Sequence, residues 1–460
     1  VQIDNGMAQK FIPHAKALLA LGLPIIGSHL AQMALHVTDT MLLGRYGVSE
    51  LAAVTLAGSA FFVLFILGAG FGQGVMPLVA SALGRGEEVE VRRDVRMGLW
   101  LSLAYGVAIY PLFWVSESWL RGMGQTPDVA RLGQEFLRIA GPGMVPALIV
   151  MTLKSYLSAM GRTQVVLWIT IGAVGLNLAV GWVLIFGKFG LPEWGVQGAA
   201  IATLTVQCFS AAALALYAHR QPNLRQHQIF RRFWRMDAAA LLRVFRLGWP
   251  IGVTGLAESG LFSGASLMMG WISEVALAAH GIAMQVAALA FMVHLGLSNA
   301  ATVLAGRAEG AGDARGLRDI ATTSILMSFG FGAVMIVVFL AVPLPILSLF
   351  LDTTQSEAAG ILHLGVVLLA LAALFQLGDA MQVMALGLCR ALHDTRVPMV
   401  MAAVSYWVVG IPCSYVLGFH FGLGAVGIWT GLVVGLAFAS ASLMVRFWRE
   451  APRPVPATAG

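Results

Sequence analysis

The sequence predicts an all-α integral membrane fold, with twelve transmembrane helices in two pseudo-symmetric six-helix lobes around a central cleft. Three observations predict it. Hydrophobic residues fill 58% of the 460 positions and charged residues 11%, against roughly 45 to 50% and about 25% in soluble domains. The polar residues gather in short patches between long apolar runs, and the mean hydropathy is +0.83, so most of the outer surface must itself be apolar. The second half of the chain also repeats the first. A helix needs about 20 apolar residues to cross a hydrocarbon core of about 30 Å, so a chain of this length holds about a dozen crossings and no sizeable soluble domain. A conventional soluble enzyme is excluded.

In chain order the apolar runs predict spans near 17–43, 51–82, 95–116, 132–159, 164–187 and 195–218, then near 241–270, 276–307, 318–342, 357–390, 397–419 and 422–446. The amino-terminal run lacks a small-residue cleavage pattern and reads as an uncleaved first span. Between the sets lies HRQPNLRQHQIFRRFWRMD, a basic stretch without apolar periodicity that reads as a linker. The predicted organisation is an N-terminal lobe over 1–218, a cytoplasmic linker over 219–240, a C-terminal lobe over 241–446 and a cytoplasmic tail over 447–460.

Sliding the chain along itself shows the duplication directly. LGLPI at 21–25 meets LGWPI at 247–251, an offset of 226, and at that offset Gly44 meets Gly270, LAA at 51–53 meets LAA at 277–279, Gly84 and Gly86 meet Gly310 and Gly312, and Arg92 meets Arg318. The offset becomes 232 at Thr163 and Thr395, then 229 across GVQGAA and GAVGIW, as a short loop deletion would produce. Six spans per copy make the repeat parallel, an architecture of alternating-access transporters.

The charges orient the chain. The net charge is +6 and the pI near 9.5, which in a membrane protein reflects the excess of Lys and Arg on cytoplasmic loops rather than a nucleic-acid partner. Only Arg45, Arg121, Arg131, Arg138 and Lys188 fall on one side of the predicted spans; the rest of the 28 Lys and Arg residues fall on the other. Both termini are therefore expected in the cytoplasm. Cys208, Cys389 and Cys413 lie inside apolar runs without CxxC spacing, so neither a disulfide framework nor a zinc site is expected.

Acids inside spans carry the chemistry, because one Asp at a span centre costs about 2.5 to 3.5 kcal/mol even on mild insertion scales. Asp39 (MALHVTDTMLLG), Glu258 (GVTGLAESGLFSG) and Asp379 (LFQLGDAMQVMALG) stand in apolar context with no basic residue expected at their depth. At about 1.5 Å rise per residue, Glu258 lies about 16 Å beyond the LGWP landmark and Asp379 about 16 Å before Arg390, whereas Asp39 lies about 27 Å beyond LGLP. The repeat does not equate them, since Glu258 aligns with Gln32, Asp39 with Ala265 and Asp379 with Ala147. A shielded carboxylate either takes a proton or holds a cation, which suits exchange of H+ or Na+ for an organic cation. Asn177 and Thr203 are candidate neutral oxygens beside Asp39. Gln32 and the repeat mates Ser59 and Gln285 are candidate cavity groups, and Phe262, Phe291, Phe375, Met268, Met269, Met284 and Met292 a candidate pliable wall.

Other features read more plainly. His29, His36, His280 and His294 within spans are expected to be packed, and Lys154 and Arg390 to reach toward water at helix ends. GAGFGQG at 68–74 is expected to pack helices closely. No HExxH, GxSxG or Walker pattern occurs, so neither catalysis nor an organic cofactor is expected.

Taken together, LGLPI with VTDTMLLG, AMGRTQ, VGLNLAVGWVLIFGKFG leading into GVQGAAIAT, GLAESGLF, and GDAMQVMALGLCRALHDTRVPM resemble the multidrug and toxic compound extrusion (MATE) family in its bacterial NorM-like branch, over nearly the whole chain. The resemblance implies two six-helix lobes around a cleft and a multidrug efflux antiporter that exports cationic, often polyaromatic compounds against inward Na+ or H+. It implies that Asp39, Glu258 and Asp379 match the family's embedded acids and that Asn177 and Thr203 match neutral partners of a first-lobe cation site. Na+ would then sit at Asp39, Asn177 and Thr203, or at Glu258 and Asp379. Two positions depart from the pattern: Gly181 stands where Na+-linked members often carry Asp or Asn, and Phe375 where some carry Tyr. Both remove an oxygen, and Na+ and H+ both stay open as coupling ion. The expected setting is a monomer in the inner membrane, with the bilayer and small organic cations as partners. The alternative is a lipid-linked oligosaccharide flippase of related architecture, which should meet phosphates with several basic cavity residues.

Overall fold

A backbone N–H or C=O facing hydrocarbon finds no water, so a spanning segment must satisfy its own backbone. The computed structural model describes residues 5–350 and 358–453, and among these the chain is helical with no strand. Residue 357, predicted to begin the tenth span, and residues 454–460 of the predicted tail lie outside the described residues. The first six spans are α1 (Asn5–Gly44), α2 (Val48–Arg85), α3 (Glu88–Trp114), α5 with α6 (Pro127–Ala140 and Met144–Ala159), α7 (Thr163–Ile185) and α8 (Gly195–Arg220), with the short α4 (Ser116–Gly122) after the third. After α9 (Pro222–Arg225) the second six are α10 (Ala238–Ile272), α11 (Glu274–Gly310), α12 (Ala314–Ala341), α14 (Ala358–Ala391), α15 and α16 (Arg396–Val404 and Ile411–Tyr415) and α17 (Gly424–Glu450). A short α13 (Pro343–Ser348) again follows the third of the set. Eleven of these spans are long and apolar enough to cross a membrane. The twelfth is α10, 35 residues long.

The helices outrun their apolar runs at their ends. α1 begins at Asn5 rather than near 17, and α3 at Glu88 rather than near 95; Glu88 and Glu90 in the first turn of α3 suit its positive dipole end. The fourth span, predicted continuous, breaks at a 3₁₀ turn over Gly141–Gly143, where Pro142 has no N–H to continue an α-helix. Pro412 similarly lies between two π-helical stretches, Ser405–Gly410 and Val416–His420.

The duplication reaches down to single hydrogen bonds. Gly86 ends α2 in the left-handed region at φ 74°, with Glu87 N–H donating to Ala82 C=O at 2.9 Å. Its repeat mate Gly312 has φ 71°, with Asp313 N–H donating to Ala308 C=O at 2.9 Å. Only glycine adopts that conformation at little cost.

The chain forms two compact units. One comprises Gly27–Val253, and the other the described residues up to Ile26 and from Thr254 onward. The division thus falls inside α1 and α10, within a turn of the repeat-mate prolines Pro24 and Pro250. The first unit is centred on Phe113, Leu137, Met144 and Leu148. The second has one core around Leu261, Phe375, Tyr406 and Trp429 and another around Leu18, Leu297, Ala301 and Phe447.

Glycines set the helix crossings. A Cβ on Gly198 would lie 2.7 Å from the Leu184 carbonyl oxygen, and one on its repeat mate Gly427 would lie 2.5 Å from that of Leu417. In the GAGFGQG stretch a Cβ on Gly70 would collide with the Gly248 carbonyl oxygen. Helices without hydrophobic drive between them associate through such close backbone contact.

The linker is ordered against α3. Arg93 donates to Asp237 at 2.5 Å, and Arg243 at the start of α10 donates to Asp94 at 2.6 Å. The Arg93 hydrogen bond holds the Asp237 carboxyl below its ordinary range.

Two outcomes follow from this packing. Gly198→Ala and Gly427→Ala should each destabilise the detergent-solubilised protein by about 1 to 3 kcal/mol through overpacking, read as a lowered Tm. Gly175→Ala, which meets open space, should leave Tm unchanged or raise it slightly. Because the folded Asp237 carboxyl is depressed, its contribution is fully present above the ordinary carboxylate pKa and is lost as pH falls through the depressed value. The protection of linker amides, taken relative to the intrinsic exchange rate at each pH, should fall over that acid window in wild type and lose this pH dependence in Asp237→Asn.

Candidate functional site

The predicted site residues fall into one group in each unit. In the Gly27–Val253 unit, α1 and α7 bring Asp39 and Asn177 together, with Asn177 Nδ2 donating to Asp39 Oδ1 at 2.7 Å. Asn177 is buried, and its Oδ1 has no hydrogen-bond partner. An amide so placed can neutralise part of one carboxylate while offering an unclaimed oxygen. His36, one turn before Asp39, acts on it electrostatically. Thr203 does not join them through its hydroxyl, which donates to the Ala199 carbonyl of its own helix at 3.1 Å. Gly181 is filled from the other side: a Cβ there would stand 2.9 Å from Leu42 Cδ1, so an Asp or Asn would require Leu42 to move. Gln32 and Ser59 are exposed, and Ser59 Oγ donates to the Thr55 carbonyl at 2.9 Å.

In the other unit, α10 presents Glu258 and α14 presents Asp379. The two carboxylates act on one another electrostatically. Gln382 Nε2 donates to Glu258 Oε1 at 3.1 Å. Asp379 is 3% exposed and its Oδ1 is without a partner, as are Gln382 Oε1, both amide atoms of Gln376 and the Tyr406 hydroxyl. Unpaired polar atoms inside a protein core are costly, and here those of Gln376, Asp379 and Gln382 share one face of α14. Such a set can share a proton, or surround a hard cation with oxygen.

Two expectations are corrected. Arg390, placed at the helix end and expected to reach toward water, acts electrostatically on Glu258, so that acid is not remote from all positive charge. Lys154 likewise turns inward, donating to Ser28 Oγ at 3.4 Å. Both side chains are long enough to reach back along their helices, which depth counted at Cα ignores.

Of the expected wall residues, Phe375 is 2% exposed and packs edge-on between Phe262 and Trp429, with ring centroids 6.0 and 5.6 Å away. Met268 and Met269 are buried in the same core, and Gln285 is half-buried. His280 and His294 are buried, bonded to Ser266 at 3.1 Å and Ser328 at 2.8 Å. Sequence reasoning did not single out Gln376, Gln382 and Tyr406. For the glutamines a signal existed: they stand three residues before and after Asp379, the spacing that shares a helix face. Tyr406 has no such signal, because its approach depends on how the eleventh span packs.

A duplicated twelve-span fold with carboxylates inside its helices defines a polytopic membrane protein of the transporter class. A family model described as MatE matches the chain twice, over residues 24–183 and 250–416. Curated relatives called "Probable multidrug resistance protein NorM" are 46% identical over 436 residues in Rhizobium meliloti, covering 95% of this chain and 93% of the relative, and 43% identical over 434 residues in Agrobacterium fabrum, covering 94% and 93%. Among solved structures, a MATE protein in complex with MaL6 superposes with a TM-score of 0.87 at 20% identity, covering 95% of this chain and 97% of that one. An outward-facing multidrug resistance MATE family transporter of the MOP superfamily superposes with a TM-score of 0.86 at 21% identity, covering 95% and 96%. The chain belongs to the MatE family, and its fold is the two-lobed fold of those structures.

Charge crowding at Glu258 and Asp379 has a measurable consequence. Asp379→Asn keeps the shape and removes the buried member of two interacting carboxylates, so in cation-free buffer at neutral pH it should raise Tm, by about 1 to 3 kcal/mol in stability. Thermal melting of the two purified proteins checks this; a lowered Tm would show that Asp379 is held by contacts rather than strained by charge.

Proposed function

We propose that the protein is a multidrug efflux antiporter of the inner membrane, exporting organic cations in exchange for inward Na+ or H+ by alternating access, with both termini in the cytoplasm. The observation that carries the reading is the Glu258–Asp379 pair, two interacting carboxylates on two spans with unpartnered oxygens beside them. A group of that kind needs a cation or a proton to be comfortable in a low dielectric. The multidrug resistance names of the relatives support the substrate class.

Asp379, beside Glu258 and the amide oxygens of Gln376 and Gln382, receives the coupling cation. Asp39, with Asn177 as its amide donor, provides a second acidic position in the other half. Arrival of the coupling ion on a carboxylate cancels the charge that held an organic cation, and departure of the ion restores it. Binding of one therefore releases the other without any covalent step.

The test is efflux of a fluorescent organic cation from everted vesicles with Na+ and pH varied independently. Wild type should respond to one of the two gradients. Asp379→Asn and Glu258→Gln should bring efflux close to the rate of vesicles lacking the protein, and Asp39→Asn should reduce it severalfold. Undiminished efflux in all three variants, or no response to either gradient, would refute cation coupling through these acids.

A further inference from the structure

The linker between the two sets of spans carries more apparatus than a connection requires. Its backbone is pinned to α3: Arg96 donates to the Arg231 carbonyl at 2.8 Å, Trp100 Nε1 donates to the Phe233 carbonyl at 2.8 Å, the Trp100 and Phe233 rings stack at 5.3 Å and 13°, and Arg93 holds Asp237. Two turns close it, from Gln228 to Arg231 and from Arg232 to Arg235. Pinned this way, it presents Trp234 at 76% exposure and Met236 at 59%, flanked by exposed Arg231, Arg232 and Arg235. Among the described residues no carboxylate pairs with these three arginines; Arg231 bonds only the neutral Gln228 side chain, at 2.9 Å.

The height of this ribbon follows from α3. That helix is charged from Glu88 to Arg96 and then runs apolar as MGLWLSLAYGVAIY, so water gives way to lipid between Arg96 and Trp100, where the ribbon is attached. An exposed tryptophan and methionine at this level contact the acyl boundary, and guanidinium groups beside them meet the phosphate layer. Arginine favours phosphate through its planar fork of donors.

We propose that residues 231–236 form a binding site for anionic phospholipid headgroups, in which Arg231, Arg232 and Arg235 hold the phosphates and Trp234 and Met236 insert beside the glycerol and upper acyl chain. The site lies within one compact unit and needs no part of the acidic groups proposed for coupling.

The experiment uses the full chain in detergent, titrated with short-chain phosphatidylglycerol or phosphatidylcholine and read by native mass spectrometry. Wild type should retain phosphatidylglycerol at least about tenfold better than phosphatidylcholine. The triple variant Arg231→Gln, Arg232→Gln, Arg235→Gln should lose that preference, while Arg121→Gln, Arg131→Gln, Arg138→Gln, which removes equal charge elsewhere, should keep it. Equal loss in both variants, or no preference in wild type, overturns the proposal. A second reading avoids charge variants altogether. In nanodiscs containing dibrominated lipid, the fluorescence contributed by Trp234, taken as the difference between wild type and Trp234→Phe, should be quenched more by brominated phosphatidylglycerol than by brominated phosphatidylcholine. Equal quenching would also overturn the site.

Discussion

Hydrocarbon offers no partner to a polar group, and the architecture of this protein depends on that constraint. It makes every crossing helical, and it decides where helices break. The fourth span bends at Gly141–Gly143 and the eleventh widens around Pro412, at prolines whose missing N–H leaves a carbonyl to be accommodated. It also sends hydroxyls back onto their own backbone: Thr38, Thr40, Ser59, Thr203, Thr205, Ser266 and Thr430 each donate to the carbonyl one turn earlier. A hydroxyl so engaged has no proton left to give a neighbouring helix and can only accept there, so Thr203 does not donate to Asp39.

The same constraint gives the embedded acids their meaning. Asp39 has one amide donor, while Glu258 interacts with Gln382, Arg390 and Asp379. Their repeat mates carry no charge. Ala265 and Ala147, opposite Asp39 and Asp379, are buried apolar positions. Duplication thus preserved helix crossings, as at Gly198 with Gly427, and helix ends, as at Gly86 with Gly312, while the polar positions diverged. Backbone contact tolerates little change on either copy, whereas a polar group can be kept on one copy and replaced by packing on the other.

Spans, the repeat, the close packing of GAGFGQG and the three acids were all legible in the chain, because each rests on composition or on a period within one segment. The early starts of α1 and α3 were less so, since apolar runs mark the hydrocarbon and not the helix. The partners of the acids were legible only in part. Asn177 was found beside Asp39, and Gln376 and Gln382 were open to a face argument on α14. Arg390 was misjudged because the reach of a long side chain is a rotamer property. Phe375 read as a cavity wall, yet it is wedged between Phe262 and Trp429, and that wedge exists only once three helices meet.

The sequence by itself determined the solvent, the number of crossings, the parallel repeat and the presence of costly carboxylates, because burial in lipid acts on each segment separately. Tertiary structure alone decided that α1 and α10 divide between compact units near Pro24 and Pro250, that Glu258 and Asp379 share one electrostatic environment, and that the linker is a pinned ribbon in which no carboxylate pairs with Arg231, Arg232 or Arg235. Those outcomes depend on distances between segments far apart in the chain, which packing sets and local pattern does not encode.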